Sequence, residues 1–343
     1  MHYLLLISLI YVTACKHGYL NVRGSNEKKQ SVGADPKLPQ AVAGDAIPQD
    51  NRPSLPEEQF VIPDADIPLE GVLQRRPEGG IDVGGAIAGV WDKTLSPVYI
   101  KADAVLGPDK ILIIKAGVQV VSQGSYRFSV EGGQLKINGT QAEPVVMTAA
   151  DKSTGWGGIR VCPDAECRSE EPKGKLEVRF ARFESAKKQD TNPNDSTWRR
   201  GGALYVRGTA TAIIEDSVFL GNYALERGGA IEIIADNRNV IFRRNVLERN
   251  QNDGNAGGAL HITHGRNLSL EGNTFIGNTS KGEGGAVYLL DTAALVMRGN
   301  TFRDNVSGTM GGAVKCDGHA ITIDIDRSNM FSGNKPDDIS CDP

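Results

Sequence analysis

Short runs in which apolar and polar residues alternate fill the second half of the chain, and they return at a fixed interval. The clearest marker is Gly201-Gly202-Ala203-Leu204, repeated at Gly228, Gly257, Gly284 and Gly311 with spacings of 27, 29, 27 and 27 residues. After each glycine pair the position of Leu204, Ile231, Leu260, Val287 and Val314 is apolar, and so is the position two later, Val206, Ile233, Ile262, Leu289 and Cys316. Side chains that alternate with a period of two lie on opposite faces of a strand, so both positions are expected to point into a core. Between them stand Tyr205, Glu232, His261, Tyr288 and Lys315, a mixed set that predicts an outward face. A second strand is predicted around Ala212/Ile214, Val240/Phe242, Leu268/Leu270 and Leu295/Met297. In the last unit Ile321, Ile323 and Ile325 fall one residue out of phase with Phe331, which predicts a bulge or an insertion.

A second motif keeps step with the first: Phe219-x-x-Asn222, Leu247-x-x-Asn250, Phe275-x-x-Asn278, Phe302-x-x-Asn305 and Phe331-x-x-Asn334. Two motifs locked to one period indicate stacked units, each burying its apolar face on its neighbours. Glycine before alanine suits a sharp corner, which needs positive φ or close backbone approach. Asn at one position of successive coils predicts a ladder of side-chain amides bonded to each other and to turn backbone. Coils in register place equivalent residues about 4.8 Å apart, so eight or nine coils would form a rod roughly 40 Å long.

The body opens near Trp91 with β-branched runs such as Lys110–Val121, Tyr126–Val130 and Val145–Ala149, punctuated by Gly, Pro and Asn and without helical period. From 97 to 160 the order resembles the entry coils of secreted right-handed parallel β-helix proteins. Gly139-Thr140 through Ala149 and Gly155 through Ile159 carry the likeness, whereas Lys115-Ala116-Gly117-Val118 lacks the expected proline. Cys162 to Lys173 reads as a polar, hairpin-like insertion, and Lys187 to Arg200 as a second long polar loop.

The paired Gly-Gly-Ala and Phe-x-x-Asn motifs resemble the repeats of chlamydial polymorphic outer-membrane proteins and related bacterial surface β-helices. The resemblance implies an all-β, right-handed parallel β-helix at a cell surface, used in that family for adhesion. Those proteins end in a translocator barrel, whereas this sequence stops at Pro343 after the last coil, so a lipid anchor is expected to take the barrel's place.

Met1 to Val12 is an apolar run too short to span a bilayer, and it leads into Val12-Thr13-Ala14-Cys15. That end resembles the lipobox of bacterial lipoproteins, with His2 where Lys or Arg is usual. The resemblance implies a leader over 1–14 and acylation of Cys15, which would hold the chain on a membrane by about 0.8 kcal/mol per buried methylene. By the sorting habit of that family, the resemblance further implies the outer membrane, since Lys16 and not Asp follows the cysteine. From Cys15 to about residue 90 the chain holds Pro36, Pro39, Pro48, Pro53, Pro56, Pro63, Pro68 and Pro77 among polar residues, and is expected to be a disordered tether ahead of a β-helix over 91–343. Its one apolar cluster, Phe60 to Leu73, is a candidate for docking on the body.

Glycine is abundant at 41 residues and aromatics scarce at 6%, which suits turn-rich β-structure. A formal charge of −4 lacks a polycationic footprint and argues against nucleic acid as a partner. Beyond Cys15 the four cysteines, Cys162, Cys167, Cys316 and Cys341, suggest two disulfides in an exported chain. Of three possible pairings, Cys162–Cys167 and Cys316–Cys341 are the pair expected.

Chemistry is harder to find. Acid–base cleavage of an acidic glycan needs a base and a neutralising cation, or two carboxylates at a set separation. The best candidates are Glu232, His261 and Lys315, with Tyr205 and Tyr288 beside them to stack on sugars and Arg207, Thr263 and Asp317 in the next column. His261, His264 and His319 are not at metal-ligand spacing. The loops Asp190–Asp195 and Gln251–Asn255 are oxygen-rich and could take Ca²⁺, but a solvated turn explains them as well. Asn278 and Asn305 match a glycosylation sequon that the ladder already accounts for. No cofactor is expected. The reading is a non-catalytic, lipid-anchored envelope protein that binds carbohydrate or another macromolecule. The alternative is a polysaccharide lyase or glycoside hydrolase.

Overall fold

Each apolar run becomes one side of a coil, and the coils stack so that every strand bonds to its equivalent one turn later. The computed structural model describes residues 67–341 apart from 170, 189–194, 210, 236–238, 266–267, 293–294 and 319–322. Three parallel sheets run along the stack. Sheet one contains Ile159–Cys162, Leu204–Arg207, Ile231–Ile234, Leu260–Thr263, Val287–Leu290 and Val314–Asp317. Sheet two contains Lys175–Arg179, Thr211–Glu215, Asn239–Arg243, Ser269–Glu271 and Leu295–Arg298. Sheet three contains Ala181–Glu184, Val218–Leu220, Val246–Glu248, Thr274–Ile276 and Thr301–Arg303. A separate ribbon of two-residue strands, Lys187–Lys188, Tyr223–Ala224, Gln251–Asn252, Thr279–Ser280 and Val306–Ser307, follows sheet three in each coil.

The three sheets enclose one apolar core. Leu204, Ile231, Leu260, Val287 and Val314 are all fully buried, as are Ile214, Phe242, Leu270 and Met297 from sheet two. Phenylalanines of sheet three stack directly: Phe183 on Phe219 at 4.9 Å, and Phe302 between Phe275 at 4.8 Å and Phe331 at 5.0 Å. Parallel rings at the coil spacing are a consequence of register, since equivalent residues have no freedom to offset.

The glycine pair has two separate reasons. The first glycine takes positive φ, for example +57° at Gly201 and +69° at Gly257, a region where a Cβ costs about 1–2 kcal/mol. The second sits against the next coil: a Cβ on Gly258 would lie 2.0 Å from the carbonyl oxygen of Gly285. Neither position tolerates a side chain, which is why both recur.

The expected Asn ladder forms. Asn250 donates its backbone N–H and its Nδ2 to Oδ1 of Asn278, each at 3.0 Å, and its Nδ2 also to the carbonyl of Phe219 at 3.0 Å. The same pattern links Asn222, Asn278, Asn305 and Asn334. A second ladder, missed in the sequence, runs through Asn245, Asn273, Asn300 and Asn329 at the corner between sheets two and three. Its signal was present as Asn two residues before each Phe219-type position, in Asn245, Asn273 and Asn300.

Two expectations need correction, and one open alternative is decided. The folded body begins upstream of Trp91. Strand β1 (Glu70–Arg75) pairs antiparallel with β2 (Ile81–Trp91), which itself continues into the parallel stack and covers its first coil. The assigned tether is therefore structured from residue 67 onwards, and its remainder lies outside the described residues. The phase slip in the last unit is an insertion, not a bulge in the strand. Leu295 and Met297 pair regularly with Ile323 and Ile325, and Phe302 with Phe331, so the extra residue sits in the turn between, while Asn329 keeps its ladder position. Lys187 to Arg200 is not simply a polar loop. Lys187–Lys188 joins the ribbon, Ser196–Arg199 forms a 3₁₀ turn capped by Asp195, and Trp198 is buried.

Both disulfides join the expected partners, Cys162 with Cys167 and Cys316 with Cys341. The first closes the small insertion over sheet one. The second ties the final strand to the preceding coil, where Cys316 and Cys341 are register neighbours.

Candidate functional site

The column expected to face solvent is enclosed. Tyr205, Glu232, His261, Tyr288 and Lys315 are 1%, 0%, 0%, 8% and 1% exposed, and Arg160, their register neighbour one coil earlier, is 3% exposed. They do point away from the apolar core, as the alternation predicts. The ribbon and the glycine corner fold back over them, however, with Lys188, Ala224, Asn252 and Ser280 as the buried residues of the lid. The corner packs tightly: a Cβ on Gly202 would stand 2.5 Å from the carbonyl oxygen of Tyr223. Sheet one thus has an apolar interior on one face and a narrow polar seam on the other.

Charge runs the length of the seam. At its N-terminal end Lys188 Nζ donates to the carbonyl of Ile159 at 3.1 Å and lies 5.2 Å from the Trp198 ring and 5.8 Å from the Tyr205 ring. Trp198 also carries Arg127 at 5.1 Å and Arg160 at 5.5 Å over its ring. Burial pushes the Lys188 amine well below the ordinary lysine range, and the nearby Arg160 guanidinium adds to this, with Glu232 and Asp195 opposing. A neutral amine can still donate to Ile159. Burial also raises the Tyr205 hydroxyl, and Glu232 raises it further.

In the middle, His261 Nδ1 lies 3.4 Å from Glu232 Oε1 and 3.5 Å from Thr263 Oγ1, and its ring stacks on Tyr288 at 5.3 Å. Neither Glu232 oxygen, nor His261 Nε2, has a hydrogen-bond partner among the described residues. Glu232 instead acts at longer range, holding the charge on Arg200 against the effect of its burial. At the C-terminal end Tyr288 donates to Asp317 at 2.5 Å and Lys315 pairs with the same carboxylate at 2.7 Å. Burial and that bond raise the Tyr288 hydroxyl.

The structure therefore brings Glu232 and His261 together, as stacking required, and joins Lys315 and Tyr288 through Asp317. What it does not do is open them to a polymer. Thr263 is buried as well, whereas Arg207 is half-buried and donates to the carbonyl of Cys167 at 3.0 Å. His264 is exposed, 3.9 Å from Asp291, and His319 lies outside the described residues. Among the described residues no group of three or more His, Cys, Asp or Glu is arranged to hold a metal. In the oxygen-rich Gln251–Asn255 loop, Asn252 Nδ2 donates to the carbonyls of Ala256 and Gly257, each at 2.7 Å, and Asp253 pairs with Lys281 at 2.7 Å. The loop from Asp190 is described only at Asp195, and Cys15 lies outside the described residues.

Comparison with known families is consistent with this geometry. Residues 92–194 match a domain described as a pectate-lyase-like β-helix, and residues 183–340 match one described as a right-handed β-helix region. The fold is a right-handed parallel β-helix. The two matches meet at 183–194, where the β-helix runs on through Ala181–Glu184 and Lys187–Lys188 without a break in register. Comparison with curated proteins and with solved structures gave no match.

Proposed function

We propose that this β-helix is a lipid-anchored protein of the bacterial cell envelope that binds carbohydrate or another macromolecule without cleaving it. The observation that carries the reading is the enclosure of the acid–base candidates: Glu232 and His261 are 0% exposed and Lys315 1% exposed. General acid–base catalysis needs its groups within about 3 Å of the reacting atoms or one water away. A sealed seam gives a glycan chain no such approach. Binding would fall to the outer faces, where half-buried Tyr223 and Thr279 and exposed Gln251 repeat along the ribbon, and to the surface of the disulfide-closed insertion.

Incubating the purified chain with a panel of acidic and neutral glycans, and following both retention and product release, tests this. Retention without release is expected. Release that disappears in Glu232→Gln, a shape-conserving change, would overturn the binding reading. It would favour the second one, a polysaccharide lyase or hydrolase, which the pectate-lyase-like description of residues 92–194 supports. Anchorage at Cys15 is tested by metabolic labelling with a fatty acid. Label is expected in the parent and absent in Cys15→Ala; equal label in both would remove the anchor from the proposal.

A further inference from the structure

Buried polar atoms without a hydrogen-bond partner among the described residues concentrate in the seam behind sheet one. They are Arg160 Nε at its N-terminal end, both carboxylate oxygens of Glu232 and Nε2 of His261 in the middle, and Ser307 Oγ in the lid at its far end. Outside the seam most such atoms belong to side chains already held in ion pairs. Arg179 and Arg243 pair with Glu215 on the outer face of sheet two, and Arg199 pairs with Glu226. Trp91 Nε1 and Thr148 Oγ1 are the remaining single atoms among the described residues.

The middle of the seam is the sharpest case. Glu232 and His261 are each 0% exposed and occupy adjacent register positions, so solvent outside the rod does not reach them. Glu232 Oε1 stands 3.4 Å from His261 Nδ1, and that nitrogen 3.5 Å from Thr263 Oγ1. Both separations exceed the roughly 2.7–3.2 Å of a good hydrogen bond. Cations lie near Glu232 but turn their donors elsewhere. Arg200 Nε donates to Glu226 at 2.7 Å, and Lys188 Nζ to the carbonyl of Ile159 at 3.1 Å. Burial works against the Arg200 charge, yet Glu232 and Glu226 raise it, so Glu232 and Arg200 feel each other without forming an ion pair.

We propose that the middle of the seam is an internal water site, in which ordered water bridges Glu232 to His261 and Thr263 on one side and to Arg200 on the other. A buried carboxylate with both oxygens unbonded costs several kcal/mol. A polar contact that spans more than about 3.5 Å is the ordinary place for a bridging water, and such a water takes roughly two to four polar partners. These four side chains offer that many. Water donates to the Glu232 oxygens, accepts from the Arg200 guanidinium, and meets whichever His261 nitrogen the tautomer presents. A metal cation fits the site less well, because the one carboxylate already offsets the charge on Arg200 and no third acidic, His or Cys ligand joins Glu232 and His261 among the described residues. Sheet one thus divides a dry core from a wet seam.

A high-resolution crystal structure of the full chain tests the site without any substitution. Water density within about 3.2 Å of a Glu232 oxygen, and of a second group of the four, is expected. A direct bond from Glu232 to Arg200 or His261, with no density between them, would overturn the proposal. So would density within about 2.3 Å of the carboxylate, the distance of a coordinated cation. In solution, magnetic relaxation dispersion of the water oxygen reads the number of long-held internal waters. The double change Glu232→Leu with His261→Phe, with circular dichroism confirming the parent fold, should lower the dispersion amplitude below that of the parent. An equal amplitude in the folded double variant overturns the water site.

Discussion

Sheet one has an interior on each side, and the two are built on opposite principles. One face carries Leu204, Ile231, Leu260 and Val287 into a core whose other walls are Ile214, Phe242, Phe219 and Phe275. Each such side chain contributes about 1.5–3 kcal/mol through the water it leaves, and identical neighbours stack without adjustment. The other face carries Arg160, Tyr205, Glu232, His261, Tyr288 and Lys315 into a seam closed by the ribbon. Lys315 is closely paired with Asp317 at 2.7 Å, but the middle of the seam is paired loosely, with 3.4 Å between Glu232 and His261 and no hydrogen bond to either Glu232 oxygen among the described residues. Removing a charge from water costs several kcal/mol, and only close geometry offsets it. The comparison teaches that burial alone does not make a layer stabilising. Between the two lie the Asn ladders, polar but fully bonded, and these behave as part of the first interior.

Substitutions can break the comparison, beginning with the corner that both interiors share. Gly258→Ala places a Cβ 2.0 Å from Gly285 O and 2.6 Å from Thr279 C, both backbone atoms that cannot step aside. A loss above about 4 kcal/mol is expected, seen as failure to accumulate folded protein or a collapse of the denaturation midpoint. Gly221→Ala, where no atom stands within 4 Å and φ is +59°, is the matched control. Its loss should stay near 1–2 kcal/mol.

Asn278→Leu comes next. It strips the acceptor from Asn250 N–H and Nδ2 and the donor from the Leu247 carbonyl. Leaving such buried groups unbonded costs about 1–3 kcal/mol each before relaxation, so a total near 3 kcal/mol is expected from urea titration. A value under about 1 kcal/mol would show that the ladder belongs with the loosely bonded seam.

Phe275→Leu, which copies the residue that Leu247 already supplies in the preceding coil, should lose only about 1 kcal/mol through one ring contact. Lys188→Met addresses the seam through pH. The folded-state pKa of Lys188 lies well below its ordinary value, so between the two the unfolded chain binds the extra proton. Stability in that window therefore rises with pH. The parent should gain stability from pH 7 to pH 9.5 relative to Lys188→Met, and parallel curves would place a charged amine in the folded seam. The smallest effect is expected for the double change Glu232→Leu with His261→Phe. Replacing a buried polar pair by apolar groups of similar volume is often neutral or favourable, so thermal denaturation should shift by about 1 kcal/mol or less. A loss of about 3 kcal/mol would reverse the comparison and make the seam a stabilising layer.

The period of 27 to 29 residues, the inward residues and the first Asn ladder were legible because they follow from rules that act along the chain. Alternation fixes which side chains share a face, and a repeated Gly or Asn marks a corner that nothing else can fill. The second ladder could have been read from the same lines, in Asn245 and Asn273, since its spacing equals that of Phe219 and its equivalents. The two disulfides also followed, because one spacing was short and the remaining pair could tie the C-terminal tail to the last coil; that Cys316 and Cys341 are register neighbours came from the structure.

Whether Glu232 and His261 meet solvent was not legible. Alternation says that a residue faces away from one core; it does not say what lies on the other side. That was decided by the ribbon, two residues per coil, which carries no hydrophobic signature of its own: Lys188, Ala224, Asn252, Ser280 and Ser307 share nothing but their place. Sequence by itself determined the repeat, the faces and the corners, through backbone sterics and local periodicity. Only the tertiary structure determined that the polar column is an interior, because enclosure depends on how far each return turn folds back over its neighbour.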